Sequence, residues 1–182
     1  MSWKITQPLV IVALTSTCIS ASEAQSLGVA AQAEKHSGAT VVKVAGNGVD
    51  HLNGALVHWQ TPTPTGLIQQ STEIVDLDGD LQGRVLYHVT SVFDFVKGML
   101  VNTGDQVFSG TIAGSAPVMI HDDRFRFDIN LVTGEESGQV FLFDQIAGPR
   151  VRCTLQIAGT GLNAEGNPTF TYDGECIFRG IH

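Results

Sequence analysis

After Ala39 the chain is written in short runs of β-branched and aromatic residues cut by glycine, and this texture limits what it can fold into more than any other feature. The runs ATVVKVAG (39–46), GALVHWQ (54–60), STEIVDL (71–77), GRVLYHVTSVFDF (83–95), QVFSGTIAG (106–114), RFRFDINLV (124–132), GQVFLFDQ (138–145), RVRCTLQIA (150–158) and FTYDGECIFRG (170–180) have strand length and strand composition. Between most of them lie turn formers: Gly46-Asn47-Gly48, Asp78-Gly79-Asp80, Asn102-Thr103-Gly104-Asp105, Thr133-Gly134-Glu135 and Ala147-Gly148-Pro149. No stretch demands a helix of more than a few turns. Eight to nine short strands with brief turns predict an all-β fold, a single antiparallel barrel or a sandwich. Segments such as VFLF (140–143) are apolar on both faces, and closure removes edges that an all-β protein must otherwise protect, so the barrel is the expectation and the sandwich its alternative.

The first two dozen residues have a different character. Lys4, the apolar stretch LVIVALTSTCI (9–19) and Ser22-Glu23-Ala24 before Gln25 match the charged, apolar and small-residue regions of a secretory signal peptide. The expected layout is a signal peptide over 1–24, a flexible extension over 25–38 and a β-barrel domain over 39–182, in a secreted or periplasmic protein. Removing the leader takes Cys18 with it and leaves Cys153 and Cys176, an even count suited to one disulfide. Pairing them in an antiparallel hairpin sets Leu155 opposite Gly174 and Ile157 opposite Tyr172, with a loop over 159–169. Two buried thiols are the alternative.

Charge and spacing exclude several function classes. The net charge is −8 and the ten lysines and arginines form no basic stripe, which disfavours a nucleic-acid partner. After the leader no run of apolar residues is long enough for a membrane span. DLDGDLQG (76–83) opens like a calcium loop, but Leu81 stands where glycine is needed and Tyr87 where a bidentate glutamate is needed. The histidines show no metal-ligand spacing, and no G-x-S-x-G elbow occurs. No metal and no cofactor is expected.

The densest polar stretch is HDDRFRFD (121–128). Strand alternation puts Phe125, Phe127 and Ile129 on one face and Arg124, Arg126 and Asp128 on the other. A turn at Thr133-Gly134-Glu135-Glu136 would bring Phe127 opposite Phe143 and Arg126 opposite Asp144, and Arg126 with Asp128 or Asp144 is either a cross-strand ion pair on a solvated face or a charged group in the barrel lumen. On GRVLYHVTSVFDF, Tyr87 shares a face with Val85, Val89 and Phe93. Tyr87 and Arg126 are the candidate catalytic pair, able to stabilise developing charge in an apolar lumen. Trp59, Phe93, Phe127 and Phe143 are the aromatic candidates for lining it.

The last third of the chain, IAGTGLNAEGNPTFTYDGECIFRG (157–180), with its Gly-Thr-Gly turn and Tyr172-x-Gly174 in the closing hairpin, resembles the allene oxide cyclase and dirigent group of small calycin-like β-barrels. The resemblance implies an antiparallel barrel with an apolar lumen that steers cyclisation or coupling of small molecules by shape, without a cofactor. No complete family motif is present, so it assigns no catalytic residue. Two readings follow. One is a barrel that binds a small, mostly apolar molecule and acts as a carrier or a cofactor-free isomerase or cyclase. The other is a structural or interaction domain with its interior filled by side chains.

Overall fold

The structure, a computed structural model, describes residues 38–180; the expected leader and nearly all of the extension lie outside the described residues. In chain order the strands are β1 (Ala39–Asp50), β2 (Leu56–Thr63), β3 (Gly66–Gly79), β4 (Leu81–Asp94), β5 (Met99–Ile112), β6 (Val118–Asp122), β7 (Arg126–Asn130), β8 (Glu136–Leu142), β9 (Asp144–Ala147), β10 (Val151–Leu162) and β11 (Pro168–Arg179). Among the described residues the one helical element is a 3-10 turn at Leu52–Gly54. None is long and apolar enough to cross a membrane.

The ladders close. Antiparallel pairing runs from β3 to β1, β11, β10, β8, β7, β5 and β4, and β4 returns to β3. The fold is therefore an eight-stranded antiparallel barrel with three further strands, and the sandwich alternative falls away. Two of the extra strands continue barrel strands past a break. β5 pairs with β7 over Met99–Thr103 and with β6 over Gln106–Gly110, so β6 and β7 are one line interrupted at Asp123-Arg124-Phe125. β9 continues β8 beyond Phe143 and pairs with β6. β2 lies beyond β1 in the same way, hydrogen-bonded to the first half of β3.

HDDRFRFD spans the break between β6 and β7, where local chemistry replaces the missing ladder. Asp122 is 1% exposed; its Oδ2 accepts from the Gln106 amide (3.0 Å) and the Phe141 N–H (2.8 Å), and its Oδ1 from the Arg124 N–H (2.8 Å). Phe125 fills the gap from inside, 4.9 Å from the Tyr87 ring and 5.4 Å from that of Phe127. The stretch is thus a strand interruption sealed by a buried carboxylate. VMIHD (118–122) is a strand that its short length, just after Pro117, conceals in the sequence.

Two expected turns are strand interior instead. Gly46-Asn47-Gly48 lies within β1 and Asn102-Thr103-Gly104-Asp105 within β5. Glycine serves there for close approach: a Cβ on Gly48 would run into the Phe170 ring, and one on Gly138 into the Phe127 ring. Both aromatics therefore lie against the wall rather than across the interior.

The two ends of the barrel differ. At the end where β4, β6 and β10 begin, Leu81, Phe108, Ile112 and Ile120 are fully buried and fill the interior. Cys153 and Cys176 are disulfide-bonded there, with Leu155 opposite Gly174 and Ile157 opposite Tyr172, the register that counting predicts. A covalent loop of this size stabilises a fold by about 3 kcal/mol through the unfolded chain. The hairpin loop is shorter than expected, since β10 and β11 stay paired to Leu162 and Pro168 around a bulge at Gly159/Gly161. Tyr172 stoppers this end: its hydroxyl accepts from the Leu81 N–H at 2.7 Å and faces the carbonyls of Asp78 (3.1 Å) and Leu81 (3.2 Å). Tyr172→Phe is expected to cost about 1–3 kcal/mol in urea unfolding, because the Leu81 N–H is left buried and unpaired.

Candidate functional site

Toward the other end the inward side chains stop meeting and leave a lumen of about 500 Å³. Its floor and walls are mostly apolar: Val75, Val85, Phe127, Val140, Leu155 and Ile157 project from five of the strands. The rim is made where β1, β4, β7 and β10 end, with Leu52 of the 3-10 turn and Leu162 both exposed beside the opening.

Into this apolar space three acidic side chains converge from three strands: Asp50 at the end of β1, Glu73 on β3 and Glu136 at the start of β8. Burial, reinforced by the charges of Glu73 and Glu136 and by a hydrogen bond to Glu73, pushes the Asp50 carboxyl up to about 8. Burial also raises Glu136 above the usual carboxylate range. Glu73, 6% exposed, receives the Ser71 hydroxyl at 2.6 Å, and Ser71 in turn receives the Gln69 amide at 3.4 Å. Asp50 therefore holds its proton at neutral pH. Beside them the buried Tyr87 hydroxyl is held well above its ordinary pKa by desolvation and by the three carboxyls, so it remains a neutral donor. Asp50 Oδ1 and Asn102 Oδ1 are buried without a hydrogen-bond partner among the described residues. Among the described residues no lysine, arginine or histidine lines the lumen, so its field is negative and disfavours an anionic guest.

The structure separates the candidates from the sequence. Tyr87, Phe93 and Phe127 line the lumen. Arg126 does not: it faces outward from β7, exposed, and chelates Asp128 through two hydrogen bonds of 2.9 and 2.6 Å. Because Phe127 points into the lumen, strand alternation turns its neighbour Arg126 outward; the turn after β7 also comes earlier than expected, placing Phe127 opposite Gly138 and Arg126 opposite Gln139. Phe143 accordingly lies outside, in the break between β8 and β9, and contributes nothing to the lumen wall. Trp59 sits on the exposed strand β2, its indole N–H on Gln70 at 2.8 Å.

Asp50, Glu73, Glu136 and Asn102 are functional candidates that pattern reading passes over. A signal is present for two of them: Glu73 shares a strand face with Val75 and Leu77, and Glu136 one with Val140 and Leu142, so both occupy the apolar parity of their strands. Set against family models, curated proteins and solved structures, the chain matches none.

Proposed function

We propose that the barrel takes up a small, mostly apolar, uncharged molecule in its lumen and isomerises or cyclises it without a cofactor. The observation that carries this reading is the convergence of Asp50, Glu73, Glu136 and the Tyr87 hydroxyl in a largely apolar space of about 500 Å³. Burying three carboxyls is costly, and a purely structural barrel would gain stability by filling that space with side chains. Protonated Asp50 serves as the acid toward an oxygen of the substrate, such as a carbonyl or an epoxide, with Tyr87 as a second donor. Glu136 serves as the base that removes a proton from carbon, so one proton enters and one leaves, as an isomerisation requires. The apolar walls hold the reactive conformer and exclude water. The resemblance to the allene oxide cyclase and dirigent group supports the same reaction class. The apolar leader-like segment (9–19) and the disulfide support export from the cytoplasm.

The test is a titration with an environment-sensitive apolar dye, then a thermal-shift screen of uncharged lipophilic carbonyl and epoxide compounds. One dye site per chain is expected, and Val140→Phe, which fills the lumen, should weaken it at least tenfold. Glu136→Gln should retain the dye and lose turnover of whichever compound the screen selects. A lumen that stays silent to all of these probes overturns the proposal.

A further inference from the structure

A second recess, of about 340 Å³, lies on the outer wall at the filled end of the barrel. It exists because the ladder between β8 and β10 stops at Leu142–Cys153, although the chain runs on along both sides as β9 and as the first residues of β10. Three arginines, Arg150, Arg152 and Arg179, line it together with Phe143, Ile177 and Asp144. The register explains their convergence. Val151 faces inward opposite Phe178, so Arg150 falls outward opposite Arg179, and the Arg179 N–H donates to the Arg150 carbonyl at 2.9 Å. Arg152 is the next outward residue on β10, opposite Ile177. The result is a two-by-two array of outward side chains, three of them guanidinium groups, spaced by about 5–7 Å.

The array is anomalous in a chain of net charge −8. Arg84, Arg124 and Arg126 each have a carboxylate within 4.0 Å, on Asp76, Asp123 and Asp128. Arg150, Arg152 and Arg179 have none among the described residues; Asp144 lines the same recess, but its ion-pair contact is with His121 at 4.0 Å. Like charges directly opposite each other on neighbouring strands destabilise a sheet. The floor is also organised: the Phe143 ring lies 5.8 Å from the Arg152 guanidinium and 4.7 Å from that of Arg124, which orients cationic planes around an aromatic surface.

We propose that this recess is a binding site for an amphiphilic oxyanion, a phosphate or sulfate monoester whose head is held by Arg150, Arg152 and Arg179 and whose apolar part lies on Phe143 and Ile177. A tetrahedral head offers three terminal oxygens to three guanidinium forks, a match that a carboxylate with two oxygens does not provide. The half-apolar floor calls for an ester rather than the free ion. The site is separate from the lumen in position and opposite to it in charge preference.

Phenyl phosphate, inorganic phosphate and sodium chloride at matched ionic strength are the probes, followed by calorimetry and thermal shift on the intact chain. Phenyl phosphate is expected to bind at one site per chain and more tightly than inorganic phosphate. Arg150→Gln with Arg179→Gln should weaken it by a factor of at least 10, and Phe143→Ala should bring it down to the level of inorganic phosphate. Unliganded, the double variant should melt no lower than the parent, because mutual repulsion is relieved. Val140→Phe, in the lumen, should leave the affinity unchanged. Binding that sodium chloride abolishes at equal ionic strength, that survives loss of both arginines, or that Val140→Phe removes overturns the proposal, as does equal affinity for the ester and inorganic phosphate.

Discussion

Replacing Asp50 with asparagine is expected to raise the melting temperature by roughly 5–15 °C at pH 8 while abolishing the proposed proton transfer. The sign follows from the direction of the Asp50 shift. An aspartate in the unfolded chain ionises near pH 4, whereas in the fold this carboxyl holds its proton up to about 8. Across that window the folded state binds the extra proton, so stability falls as pH rises and the loss is complete only above about 8. The asparagine amide can donate to Glu73 in place of the acid proton and never ionises, which removes a penalty of about 2–4 kcal/mol at the alkaline end. Melting curves of parent and Asp50→Asn from pH 4 to 9 provide the check. The parent should lose stability toward alkaline pH, whereas the curve of the variant should be flatter and the two should approach each other near pH 4. Parallel curves would show that Asp50 is an ordinary surface-like acid. Stabilisation on losing a polar group is the mark of a residue kept for chemistry at the expense of the fold.

The opposite outcome is expected at Asp122. Asp122→Ala should cost about 3–5 kcal/mol in urea unfolding, because the backbone N–H groups of Arg124 and Phe141 and the Gln106 amide lose a shared acceptor in a dry environment. Asp122→Asn keeps one acceptor oxygen and should lose less than half as much. Hydrogen exchange should show the Phe141 and Arg124 amides opening first in Asp122→Ala, with β6 and β7 losing protection before β10 and β11. The two aspartates thus form a contrast: one carboxylate is satisfied on both oxygens and holds the wall together, the other lines the lumen with one oxygen unpartnered among the described residues.

What could be read from the sequence is what depends on local composition and on counting. β-Branched runs mark most of the strands, though not the short β6 and β9, and strands apolar on both faces with edges to protect favour the barrel over the sandwich. The Cys153–Cys176 register followed because a disulfide in a hairpin fixes one pair and the period of two fixes the others. Tyr87 was legible because it sits among valines on a long, regular strand. Alternation along β7 sets Arg126 on the face opposite Phe127, so with Phe127 lining the lumen Arg126 meets solvent; the early turn after β7 instead puts Phe143, five residues past Gly138, on the outer face. Asp50, Glu73 and Glu136 come from strands far apart in sequence, and their meeting is a property of closure rather than of any local pattern. Glycine misled for a physical reason: the same absence of a side chain suits a turn at Gly134 and a flush aromatic at Gly48.

The stoppered end, with its disulfide, the anchored Tyr172 and interlocked apolar side chains, holds the strands in register far from the opening. Loops around the mouth, including Leu52–Gly54 and residues 163–167, can consequently be exchanged or lengthened with little effect on whether the chain folds. For the proposed uptake of a guest, selection and architectural integrity would then rest on opposite ends of the barrel, and grafting a new rim onto the same base would be a direct route to redirecting it.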